Sequence, residues 1–234
     1  MPTGAEICVD LFKSVEMPLG SGLSEDQLGQ IEADFSFTFD KDHRELLTLA
    51  TPLVDSWPNW RGGTTEQMRR SLAWPTEGII WDAHNNDFWP RVWGRKPKRS
   101  EDLEAAILAQ LARVPKLVPL FGHRFMAAGP SQGSAPVFSV YQSDVVYYGE
   151  NLPSYVAHEL EIPKRYATGI QRKIPFWSNL AENDRRYVGK PQNMTRAFWN
   201  RSILGGPALP EATPDGTPIT YTSTETNGPI PSSN

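Results

Sequence analysis

The chain has 234 residues, 39% of them hydrophobic and 11% aromatic, and a formal charge of −4. That is enough apolar material for the core of one generous domain, and no run approaches the ~18 apolar residues of a membrane span. The single cysteine, Cys8, excludes an intrachain disulfide and a cysteine-only metal site and suits a reducing, cytoplasmic setting.

The opening stretch, MPTGAEICVDLFKSVE, holds charges inside any apolar run and does not read as a signal peptide. Residues 1–21 are therefore taken as an N-terminal segment. GLSEDQLGQIEADF predicts a helix, with Ser24 and Gln27 at capping-box spacing and Leu28, Ile31 and Phe35 near one face. DKDHRELLTLA predicts a second, capped by Asp40, with Asp42 in its first turn, a stripe of Leu46, Leu47 and Ala50, and a stop at Pro52. FSFTF between them alternates like a short strand. LVDSWPNWRGG reads as a loop. TTEQMRRSLAW predicts a short helix capped by Thr64 or Thr65, and EGIIWDA a strand. NNDFWPRVWGRKPKR is irregular, broken by Pro90, Gly94 and Pro97.

SEDLEAAILAQLARV is the clearest helix. Ser100 caps it, acids fill its first turn, Leu103, Ile107, Leu108 and Leu111 share a face, and Pro115 ends it. KLVPLFG, PVFSVYQ and DVVYYG predict strands, the last two as a hairpin. NLPSYVAHEL predicts a closing helix capped by Asn151. Helices and strands cluster instead of alternating, which argues for an α+β fold: a central, mainly antiparallel or mixed sheet flanked by helices.

The composition changes at Pro163. Residues 163–204 form a basic, aromatic extension, and 205–234, rich in Pro, Gly, Ser and Thr, read as a flexible tail unable to offset its chain entropy. Charge follows this division. Residues 1–90 carry 15 acidic and 6 basic side chains, and residues 163–201 carry 2 acidic and 9 basic. Such asymmetry can mark a binding surface, or a basic appendage folded onto an acidic domain.

The order GLSEDQLGQIEADFSFTFDKDHRELL, WPNWR, WPTEGIIWDAHNNDFWPRVWG, LVPLFGHRFMAAGP, PVFSVYQSDVVYYGENLPSYV resembles the SUKH superfamily, which contains bacterial toxin-immunity proteins and fungal cell-wall-assembly regulators of the Smi–Knr type. The resemblance spans roughly residues 22 to 160 and places a SUKH-like domain at 22–162. It implies an α+β domain that binds proteins, without catalysis or cofactor. It implies an immunity protein that neutralises a toxin by occluding it, or a related regulatory scaffold. An interface for that purpose buries roughly 1,600 Å².

Four of the eight tryptophans lie between Trp74 and Trp93. On a strand, Ile79 and Trp81 share a face, so Trp74 and Trp81 are expected to brace the sheet as core. Trp57, Trp60, Arg61, Trp89, Arg91 and Trp93, with Asn85, Asn86 and Asp87, are the candidate partner-binding residues. Loops on a rigid scaffold carry binding groups, and Trp and Arg are enriched at interface hot spots. The alternative is that these tryptophans anchor their loops.

Two rival readings use other residues. Asp82, His84 and His123 could serve as the base and orienting groups of a hydrolase-like enzyme, and with Asp87 could hold a metal. No known ligand spacing supports either. AHELE lacks the second histidine of H-E-x-x-H, GPSQGSAP reads as a flexible loop between strands and not as a strand-to-helix nucleophile elbow, and both nucleotide-loop motifs are missing. The expectation is therefore no catalytic residue, no metal and no cofactor. Residues 163–201, with Tyr166, Phe176, Trp177, Tyr187, Phe198 and Trp199 among basic side chains, could bind single-stranded nucleic acid by stacking and phosphate neutralisation, or could dock onto the domain through those aromatics. The sequence pI of about 5.6 favours docking.

Overall fold

Seven helices and six strands form among the residues that the computed structural model describes, namely 1–62, 65–129, 134–163, 166 and 172–188. The chain is of the α+β class. Its centre is a four-stranded antiparallel meander: β1 (Leu19–Ser21) and β2 (Ala50–Pro52) pair elsewhere, and β3 (Leu117–Phe121), β4 (Arg124–Ala127), β5 (Val137–Tyr141) and β6 (Asp144–Gly149) follow in spatial order. The expected β5–β6 hairpin is present, with Tyr141 opposite Asp144. Pro119, which cannot donate to a ladder, lies on the edge strand β3 beside a register shift.

Side chains alternate across this sheet. Phe125, Ala127, Phe138 and Val140 enter a core built with α4 (Thr65–Asn85), α5 (Ser100–Leu111) and α7 (Trp177–Ala181). Met126 and Val137 enter the opposite core, against α1 (Gly4–Ser14) and α6 (Leu152–Glu159). Both faces are covered, so β4 is buried along its whole length. A third cluster joins α2 (Glu25–Phe35) and α3 (Lys41–Leu49) to Trp60, Met68 and Val118.

The helix caps follow the sequence closely. Gln27 N–H donates to Ser24 Oγ at 3.2 Å and Ser24 N–H donates to Gln27 Oε1 at 3.0 Å, completing the capping box of α2. Asp40 caps α3 and Asn151 caps α6. Ser100 is instead the first residue of α5. Arg99 holds the cap position without a side-chain cap and pairs with Asp102 at 2.7 and 2.8 Å.

Three further expectations are corrected. The N-terminal segment contains α1, opened by a Thr3–Glu6 capping box, and it buries Ala5, Cys8, Leu11 and Phe12. Burial, and then Asp42, push the Cys8 thiol far above its usual range. FSFTF forms no strand; a two-stranded ribbon pairs β1 (Leu19–Ser21) with β2 (Ala50–Pro52) instead. EGIIWDA is not a strand either, but the second half of the 21-residue α4, which continues through the buried Pro75.

The reason for α4 lies in tertiary contacts. Ile79, Asp82 and Ala83 are buried at helical spacing. Gly78 meets the β5–β6 turn so closely that a Cβ there would lie 2.7 Å from Gln142 Cα. Trp81 falls on the far side of the helix and is 48% exposed, so it is not core.

Residue 162 is not an edge of the packed structure. Ile174, Phe176, Trp177 and Leu180 are buried in the core shared by α4, α5 and the sheet. The segment 205–234 and most of the proposed extension lie outside the described residues.

Candidate protein-binding surface

Asp82 is fully buried, and its carboxylate is occupied. Oδ2 accepts from Ser143 N–H at 2.8 Å and from the Ser143 hydroxyl, and Oδ1 accepts from Asn86 Nδ2 at 2.6 Å. The backbone N–H groups of Asn86 and Phe88 both donate to Asp82 O, closing the end of α4. Asp82 thus ties the helix end to the β5–β6 turn. Burial, and next the Asp82 charge, raise the pKa of neighbouring Asp144.

The other two residues of the enzyme reading lie elsewhere. His84 is exposed on α4. His123 lies in the β3–β4 turn against the Arg124 guanidinium. Burial, then that positive charge, bring its pKa down to about 4. No hydrogen bond among the described residues joins Asp82 to either histidine, and no cluster of three or more His, Cys, Asp or Glu among them could hold a metal.

Arg124 belongs to a separate buried network. It donates to Glu159 Oε2 at 3.2 Å and to Ser139 Oγ at 3.0 Å, and lies 3.7 Å over the Tyr148 ring. It fastens α6 to the sheet.

The nine candidate partner residues divide sharply. Trp57 and Trp60 are buried, in two different cores, with neither indole N–H partnered among the described residues. Arg61 is exposed, but its guanidinium holds Ser21 and Gly22 through three hydrogen bonds. Trp89 donates to Gly94 O at 2.9 Å and packs edge-on against Trp93, which stacks on Phe176 at 5.4 Å. These two tryptophans hold the loop and the 172–188 segment together. Asp87, at a φ of 53°, pairs with Lys96 at 2.6 Å. Asn85 donates to Trp81 O, Asn86 supports Asp82, and Arg91 is exposed. The six Trp and Arg side chains therefore do not form one aromatic-basic patch.

The exposed aromatic surface is centred on Trp81. Glu77, Trp81, His84 and Asn85 recur at helical spacing along α4 and, with Ser100 and Glu104 of α5, line a groove of about 500 Å³. Leu108, one turn beyond Glu104, is 45% exposed. Reading 65–85 as one helix would have found this stripe, because residues four apart share a face. Ile80 forms the apolar wall of the groove and also touches the core.

The basic extension offers little to bases where it is described. Phe176 and Trp177 are buried, and Trp177 donates to Pro115 O at 2.9 Å. Lys173 pairs with Glu182 and Arg186 with Asp184. Phe198 and Trp199 lie outside the described residues.

No protein-family profile, curated protein or solved structure matches the chain. Among the described residues, no helix is long and apolar enough to cross a membrane.

Proposed function

We propose that the chain is a cytoplasmic protein-binding domain of the SUKH type that acts without catalysis, covering a functional surface of its partner. Its favoured form is immunity against a toxin; a regulatory scaffold uses the same surface. The observation that carries this reading is the indole of Trp81, 48% exposed near the C-terminal end of a long helix beside a groove. An isolated exposed apolar residue is ordinary, but this one stands on a helix with Ile80 beside it in the same groove, the setting in which hot spots cluster. The ordered SUKH-like motifs point the same way. The occupied Asp82 carboxylate weakens the hydrolase reading.

Affinity capture of the tagged full chain from native lysate, in moderate salt and read by mass spectrometry, tests it. The expected result is one stoichiometric polypeptide, bound at least about tenfold more weakly by Trp81→Ala, a loss typical of a hot spot. A hydrolytic activity abolished by His84→Ala with His123→Ala would overturn the reading. The excess of nine negative charges in residues 1–90 also steers a basic partner, so the association rate should fall as salt rises.

A further inference from the structure

We infer that the groove between α4 and α5 seats an arginine side chain of the partner, stacked on Trp81 and gripped by Glu77 and Glu104. This rests on the protein-binding reading and names the chemistry that the surface selects. Neither Glu77 nor Glu104 has a hydrogen-bonding or ion-pair partner among the described residues, and both are exposed at the groove. On α4, α5 and the loop between them, Glu66 takes Arg70, Asp102 takes Arg99 and Asp87 takes Lys96, while the two groove glutamates take no such partner. Here two carboxylates on different helices flank an open indole, and Glu101, one turn before Glu104, adds a third exposed negative charge to that end of α5.

The arrangement matches a guanidinium better than any other common side chain. Its planar face stacks on an indole, where the ring quadrupole attracts the cation. Its five N–H donors can engage two carboxylates at once, which a compact ammonium does less well. The apolar wall of Ile80 suits the methylene stem, which seeks apolar cover while its head stays polar. An acidic partner segment would meet three uncompensated carboxylates.

The test uses the ¹⁵N-labelled full chain. The Trp81 indole N–H resonance is identified by its loss in Trp81→Phe. Two Gly/Ser decapeptides are titrated, one carrying three arginines and one three glutamates. The arginine peptide should shift that resonance saturably and the glutamate peptide should not. Glu77→Gln with Glu104→Gln should weaken the arginine peptide by about tenfold, as expected for losing two charge partners around a cation–π contact. All three side chains are exposed, so the variants should keep the parent melting temperature. No saturable shift, or the same affinity in the double variant, overturns the proposal.

Lysate capture separates the two readings. A partner held equally well by Glu77→Lys with Glu104→Lys overturns the arginine seat and leaves the binding domain standing. A saturable peptide shift in a chain that captures nothing and hydrolyses a substrate keeps the seat and overturns the binding domain.

Discussion

Asp82 carries a carboxylate into a site without solvent access, where three donors meet it. Replacing it with alanine leaves the partly buried Ser143 N–H without its acceptor, a loss of about 1–3 kcal/mol. Asp82→Asn keeps one acceptor and should lose less. Urea unfolding of both variants checks the order. His43 makes a different case. Its ring is buried against Phe39 and Trp60 with neither nitrogen partnered among the described residues, and burial lowers its pKa from the ordinary 6.5 to about 3. The folded chain therefore refuses a proton that the unfolded chain accepts. Stability is unaffected by His43 above pH 6.5 and is lost between pH 6.5 and about 3, at about 1.4 kcal/mol per pH unit. His43→Leu should flatten the fall of the urea midpoint between pH 6 and 4.5. His123, held down to about 4, will keep part of that slope.

Helix α4 is the element on which sequence and structure part. Local pattern favoured a strand at Gly78–Asp82, since Ile79 and Trp81 alternate with Ile80 and Asp82, and Pro75 stood where a helix ought to stop. Neither signal contains the β5–β6 turn that Gly78 and Asp82 meet across more than sixty residues. The strand period buries Trp81 and the helical period exposes it, as found. Elements defined by their own termini were legible: α2, α3 and α6 carry their caps within three residues of their starts. The α1 capping box of Thr3 and Glu6 is equally local, but the charges along that stretch mask its helical pattern. Strand β4, four residues long and fully buried, has no alternation to read. Two glycines turn this into a measurement. Gly29→Ala, on an exposed part of α2 with nothing within 4 Å of the new Cβ, should stabilise by about 1 kcal/mol. Gly78→Ala has the same helical gain but drives a methyl into Gln142 and should destabilise. Melting temperatures moving in the same direction would mean that the α4–turn contact is not as close as described.

For the whole molecule, residues 172–188 of the extension are a structural part of the domain. Ile174, Phe176, Trp177 and Leu180 each bury a side chain worth ~1.5–3 kcal/mol. Their sum is comparable to the entire net stability of a typical domain, about 5–15 kcal/mol. Truncation after Ile162 should therefore give an aggregating or molten chain, seen as loss of cooperative unfolding, and cannot serve as a clean test of nucleic-acid binding. Sequence composition showed the change of character at Pro163 but not where its aromatics dock, because the stack of Trp93 on Phe176 joins positions more than eighty residues apart.

Cys8 gives the first helix a gauge of its own. It is the chain's single thiol, fully buried on α1 and held in its unreactive protonated form. A disulfide reagent can reach it only when α1 lifts from the sheet, so the labelling rate in native buffer counts those departures directly. If α1 leaves before the rest of the domain unfolds, labelling will outrun global unfolding; if the two rates coincide, the N-terminal helix and the core open as one.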